Sequence, residues 1–148
     1  MEEAKRIIDG YFTAYPKVKE YMERVVAQAR ETGYVETIFG RRRYLPDIRS
    51  ANSVVRSLAE RNAINAPIQG SAADIIKIAM NRIHREFAAR GIHSKVILQV
   101  HDELVIDMLR EEQEEVTALV REAMEHAARL RVELVVECGV GENWLEAH

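Results

Sequence analysis

The chain has few of the residues that staple or interrupt a fold. It has one cysteine, Cys138, in 148 residues, so no disulfide can form within it, and this fits a reducing, cytoplasmic compartment. Cys138 lies in the apolar run Leu134-Val135-Val136-Glu137-Cys138, which reads as core rather than as a reactive thiol. No apolar run approaches the roughly 20 residues needed to cross a bilayer. No basic leader followed by an apolar stretch opens the chain, so neither secretion nor a membrane partner is expected. Internal repeats, low-complexity runs and long linkers are also lacking. What remains is a chain that is 47% hydrophobic, enough for a sizeable core. That is one domain, or one compact piece of a larger protein.

Overall charge is low, at −3, but it is unevenly placed. Residues 1–100 hold seventeen Lys/Arg and eleven Asp/Glu, whereas residues 101–148 hold four and thirteen. Positive charge is densest at Arg41-Arg42-Arg43, followed by Arg49, Arg56 and Arg61. Clustered guanidinium groups suit phosphate, because each offers bidentate hydrogen bonds. The alternative is a solvated loop and helix face.

Proline is scarce, with three residues, and each is expected to mark a boundary. Residues 2–14 read as a helix with Ala4, Ile7, Ile8, Tyr11 and Phe12 on one face. Pro16 suits the first turn of a second helix that ends at Thr32-Gly33. Tyr34 to Phe39 reads as a strand, returning at Arg43-Tyr44-Leu45 before Pro46. A helix is expected over about 53–66, broken or kinked by Pro67, and another over Ser71–Arg90. The latter carries Ala72, Ile75, Ile76, Ala79, Met80, Ile83 and Phe87 as its buried stripe. A hairpin over 94–108, an acidic helix over 111–129 and a strand over 133–140 complete the chain. Helices gathered on one face of an antiparallel sheet make the expected fold class α+β.

The hairpin is the most informative segment. Its strands flank His101-Asp102-Glu103, and no glycine is present there, although a two-residue turn needs φ > 0. Three titratable or metal-binding side chains thus occupy the tip of an apolar ribbon. Either this is a working site or a solvated turn happens to carry two acids. A second constellation lies upstream. Arg61, Asn65 and Gln69 fall at i, i+4 and i+8, on one helix face. They offer donors suited to the purine N3 and pyrimidine O2 acceptors that every base pair shows in the minor groove. The alternative is a polar helix face that hydrogen-bonds neighbouring loops.

The words around these residues resemble bacterial family A DNA polymerases. Tyr34-Val35-Glu36-Thr37 and Gly40-Arg41-Arg42-Arg43-Tyr44-Leu45-Pro46-Asp47 look like the end of that family's fingers. Residues 59–74, Ala-Glu-Arg-Asn-Ala-Ile-Asn-Ala-Pro-Ile-Gln-Gly-Ser-Ala-Ala-Asp, resemble its helix pair beneath the primer–template. Gln99-Val100-His101-Asp102-Glu103-Leu104-Val105 is similar to palm motif C, and Gly139-Val140-Gly141-Glu142-Asn143-Trp144 to the C-terminal signature. The resemblance spans essentially the whole chain. It implies end-of-fingers helices and a small hairpin over residues 1–50, and part of a palm subdomain, with an antiparallel palm-like sheet, over 51–148.

The resemblance also implies roles. Asp102 would be a catalytic carboxylate and ligand for the Mg²⁺ ions of two-metal nucleotidyl transfer, with Glu103 assisting nearby. His101 would lie near the primer terminus. Arg61, Asn65 and Gln69 would contact the minor-groove side of the nascent pair and the duplex behind it, and Arg41, Arg42 and Arg43 the DNA backbone. Primer–template DNA and deoxynucleoside triphosphates are the implied partners. The family also uses a second metal-binding aspartate in motif A, and a fingers helix with Lys, Arg and Tyr for the triphosphate and base. No Asp-Tyr-Ser-type strand and no Arg…Lys…Phe-Gly helix occurs in this sequence. The chain is therefore expected not to polymerise alone, and an upstream polymerase segment is an expected partner. A non-catalytic duplex-binding module and an inert palm-like scaffold are the alternatives. For the last, a homodimer through the sheet edge beside the hairpin is expected.

Overall fold

The computed structural model describes residues 2–147. In order it contains α1 (Glu2–Ala14), α2 (Pro16–Thr32), β1 (Tyr34–Glu36), β2 (Arg42–Tyr44), α3 (Ser53–Arg90), β3 (Lys95–Val100), β4 (Glu103–Asp107), α4 (Gln113–Glu125) and α5 (Trp144–Ala147). The fold is α+β, with two separate two-stranded antiparallel sheets, β1–β2 and β3–β4. The chain divides into two compact units, Met1–Ser71 and Ala72–His148.

In the first unit α2 starts with Pro16 in its first turn and ends at Gly33, whose φ of 81° lets its N–H return to the Ala29 carbonyl. The Arg49 guanidinium closes the same helix end by donating to the carbonyls of Arg30 and Glu31. α3 opens at Asn52, whose side-chain oxygen accepts the Val54 N–H at 2.9 Å. Its buried stripe is Ala59, Ala63 and Ala66, packed with Val25, Ala29, Val35, Leu45 and Ile48. Alanine on that face lets α3 approach its neighbours closely. The apolar stripe of α1 is largely uncovered, with Ile7 65% and Ile8 53% exposed.

In the second unit Ile83 and Phe87 of α3 pack with Val116, Leu119, Val120 and Ala123 of α4. Val96, Leu104 and Ile106 of the β3–β4 ribbon seal this core from the sheet side. A register shift between Val96 and Leu98 bulges β3, leaving Ile97 61% exposed. Ile76, Ala79, Ile83 and Phe87 are buried as the helical period requires, whereas Ala72, expected in that stripe, is exposed.

Three expectations are corrected. Pro67 does not separate two helices, because α3 is a single helix of 38 residues with Pro67 inside it. The proline removes one N–H from the helical ladder, but the neighbouring turns remain bonded and the helix is braced from outside at Gly70 and Ser71. Residues 133–140 form no strand. Half-buried and exposed positions do alternate from Glu133 to Gly139, so the two-residue period is present. A strand exists only through its ladder, however, and no described strand pairs with this segment. The antiparallel sheet of this unit is the two-stranded ribbon β3–β4. The acidic helix is also shorter than expected: Arg110–Glu112 form a 3-10 turn before α4 starts at Gln113, and α4 ends at Glu125.

Candidate functional site

Arg61, Asn65 and Gln69 lie on the uninterrupted α3, so their four-residue spacing places them along one face. All three are exposed. Among the described residues none of their side chains has a hydrogen-bond or ion-pair partner. The alternative of a polar face bonded to neighbouring loops therefore does not describe this row. Its donors and acceptors are open to an external ligand. The buried alanines on the opposite side fix which face the row occupies.

The β1–β2 turn is seated on α3 immediately after this row. The Ile38 N–H donates to Ser71 Oγ at 3.0 Å, and the Ser71 hydroxyl donates to the Pro67 carbonyl at 2.5 Å. Thr37 and Ser71 were not among the residues expected from the sequence to matter. The available signal was Gly70, a glycine inside a helical pattern, which usually marks a close approach.

The three consecutive arginines are used differently. Arg41 Nη2 donates to the Gly70 carbonyl at 3.0 Å. Arg42 binds Glu36 at 2.8 Å and lies 4.5 Å over the Tyr34 ring. Its hydrogen bond to Glu36 raises its pKa further. Arg43 is exposed and has no side-chain hydrogen bond or ion pair among the described residues. Of the three, Arg43 has the guanidinium most available to a phosphate.

In the second unit the β3–β4 turn consists of His101 and Asp102, because Val100 pairs with Glu103. His101 carries the positive φ that this turn demands, 54°, and is the one non-glycine residue in that region among those described. The Gln99 side chain braces it, donating to the His101 carbonyl at 3.1 Å. Asp102 and His101 are exposed and Glu103 is half-buried. The Asp102 carboxylate is therefore presented at a tight bend, open to an outside cation. Among the described residues no group of three or more His, Cys, Asp or Glu could hold a metal ion. As a hard oxygen donor Asp102 fits one position of a Mg²⁺ shell, which the described residues do not close.

The base of the ribbon is held by Glu112. Its carboxylate accepts the His93 N–H at 2.9 Å, the Ser94 N–H at 2.8 Å and the Ser94 hydroxyl at 2.6 Å. Led by the His93 and Ser94 bonds, these lower its pKa to about 2.

Comparison with known proteins shows the family to which the chain belongs. The profile of DNA polymerase family A matches residues 1–146. The chain belongs to DNA polymerase family A. It is 54% identical over 147 residues to DNA polymerase I of Pseudomonas aeruginosa, covering 99% of this chain and 16% of that protein. It is 50% identical over 146 residues to the thermostable DNA polymerase I of Thermus filiformis, covering 99% of this chain and 17% of that one. Among solved structures, the POL domain of Pol1 from M. smegmatis, in complex with DNA primer-template and dNTP, superposes with a TM-score of 0.97 at 49% identity. That match covers 99% of this chain and 26% of the other. The chain thus spans about one sixth of the length of the curated relatives it matches. Family A DNA polymerases are generally Mg²⁺-dependent. Among the described residues no helix is long and apolar enough to cross a membrane.

Proposed function

We propose that this chain supplies the duplex-contacting row and one catalytic carboxylate of a DNA-directed DNA polymerase. Residues 1–50 correspond in this reading to the end of the fingers and 51–148 to part of the palm. The observation that carries it is the exposed row Arg61, Asn65 and Gln69 on one continuous helix, without a side-chain partner among the described residues. It stands in a chain half-identical to DNA polymerase I of several bacteria.

Each residue has a defined task. Arg61, Asn65 and Gln69 hydrogen-bond the minor-groove acceptors of the primer–template, testing pair geometry without reading sequence. Arg43, and more weakly Arg41 and Arg42, lie against the DNA backbone. His101 sits by the primer terminus. Asp102 offers its carboxylate to Mg²⁺, and Glu103 assists beside it. Asp102 would be one ligand of Mg²⁺, which would supply charge stabilisation for phosphoryl transfer to the primer 3′ end. Asp102 is held by a two-residue turn, so it is presented with little reorganisation. The remaining carboxylate and the triphosphate-binding side chains come from a polymerase segment other than this one.

Two measurements test the reading. The chain alone should bind a primer–template duplex with an affinity that falls as salt rises. Gln69→Ala and Arg61→Ala should each weaken binding by roughly two- to tenfold, the value of a typical hydrogen bond. The chain alone should not extend the primer. Adding a polypeptide with motif A and the fingers helix should restore extension, which Asp102→Ala should then lower by roughly a hundredfold or more. Binding with no extension under any complementation would favour a duplex-binding module. No binding, with self-association through the ribbon edge in sedimentation, would favour a scaffold.

A further inference from the structure

The contacts that seat the β1–β2 turn on α3 fall on either side of Gln69 without touching the row itself. Ile38 N–H to Ser71 Oγ (3.0 Å) and Ser71 Oγ to the Pro67 carbonyl (2.5 Å) link turn and helix across one helical turn. Arg41 Nη2 reaches the Gly70 carbonyl at 3.0 Å. Thr37 Oγ1 shapes the turn from within, accepting the Phe39 N–H at 3.3 Å and the Arg41 N–H at 3.2 Å. Thr37 and Ser71 are both buried, at 9% and 8% exposure.

Gly70 explains how the turn comes so close. It lies inside α3 and does not have a positive φ, so its backbone conformation does not require glycine. Glycine weakens a helix relative to alanine. A Cβ at this position would stand 2.7 Å from the Thr37 methyl carbon and 3.3 Å from Arg41 Nη2. The arginine tip could move, but the methyl of a buried threonine could not.

The place of this latch gives it meaning. Pro67 lies between Asn65 and Gln69 and takes one N–H out of the helical ladder, which is where helices bend. The alignment of Gln69 with Arg61 and Asn65 therefore depends on what holds the helix just past the proline. We infer that Thr37, Gly70 and Ser71 are positioning residues, which hold Gln69 in line with Arg61 and Asn65 so that all three meet one face of a DNA duplex. This rests on the duplex reading of the row given above. It makes the turn, rather than the helix alone, responsible for the register of the contact.

The test is size compensation in this chain, read by fluorescence anisotropy with a short labelled primer–template. Gly70→Ala should weaken duplex binding by roughly three- to tenfold, about the worth of one well-placed hydrogen bond. Thr37→Ser keeps the accepting oxygen but removes the methyl group. It should bind normally alone and restore binding when combined with Gly70→Ala. In a Gln69→Ala background, Gly70→Ala should cause no further loss. The same non-additivity is expected for Ser71→Ala with Gln69→Ala, which decides the matter if Gly70→Ala fails to fold by its thermal melt. If Thr37→Ser does not rescue, or if the losses multiply with Gln69→Ala, the latch serves the fold only and the inference is overturned while the duplex reading stands. If Gln69→Ala alone binds like the unaltered chain, the duplex reading fails and takes the inference with it.

Discussion

Glu112 and Ser94 are joined by two hydrogen bonds. The Ser94 hydroxyl and N–H both donate to the Glu112 carboxylate, at 2.6 and 2.8 Å, and the same hydroxyl oxygen accepts the Leu109 N–H at 3.0 Å. The pair ties the entry of β3 to the exit of β4 and to the turn before α4. The ribbon that ends in Asp102 is thereby clamped at its base.

This clamp gives a pH dependence of known sign. Glu112 has its pKa lowered from 4.5 to about 2, first by the His93 N–H and then by Ser94. A depressed carboxylate stabilises the fold above its unfolded value and stops doing so as pH falls through its folded value. Stability should therefore drop between about pH 5 and pH 2, partly because of this residue. Urea denaturation of Glu112→Gln across that range should show a shallower slope than the unaltered chain, and lower stability at pH 7.

Ser94→Ala isolates the hydroxyl. Ser94 is 4% exposed, and its loss leaves the Leu109 N–H without its partner. The hydroxyl's hydrogen bonds to Leu109 and Glu112 are each worth about 0.5–1.5 kcal/mol, so their loss together costs roughly 1–3 kcal/mol. A destabilisation of that size is expected from denaturant midpoints at neutral pH. Ser94→Thr, which keeps the oxygen, should recover part of it.

The β3–β4 turn should discriminate among substitutions at His101, whose φ is 54°. Glycine adopts that conformation freely, so His101→Gly should leave stability within about 1 kcal/mol of the original. Valine is branched at Cβ and fits poorly there, so His101→Val should destabilise by at least about 1–2 kcal/mol. Thermal melts separate the two outcomes. Equal losses would show that the turn relaxes to another conformation.

Gly139 is required by proximity. A Cβ on it would stand 1.7 Å from the Ala147 carbonyl oxygen, and one on Gly141 would stand 2.8 Å from the Ala147 N. Gly139→Ala should dislodge α5 from its seat. Faster amide exchange over residues 144–147, with protection of the Ile83 and Val116 core unchanged, is the expected result.

Much of the architecture could be read from periodicity and punctuation. The helix ends at Gly33 and Gly91, the proline start of α2 and the two strands around His101-Asp102 all follow local rules. Pro67 does not break α3 because the packing of Ala59, Ala63 and Ala66 and the latch at Ser71 outweigh its local cost of one lost hydrogen bond. The segment 133–140 forms no strand although its alternation is real, since its ladder needs a partner that periodicity cannot supply. The candidate residues were found by residue type and spacing. Their availability was not legible, because the arginines of one tripeptide look alike until Glu36, Tyr34 and the Gly70 carbonyl are placed beside them.

The sequence alone determined the α+β class, the helical spacing of Arg61, Asn65 and Gln69, and the carboxylate at a two-residue bend. These depend on backbone periods and turn chemistry, which act between near neighbours. Only the tertiary structure decided that α3 passes through Pro67 unbroken, that the row has no partner among the described residues, and that Gly70 admits Thr37 against the helix. Those depend on contacts between residues some thirty positions apart, whose packing and hydrogen bonds outweigh local preference.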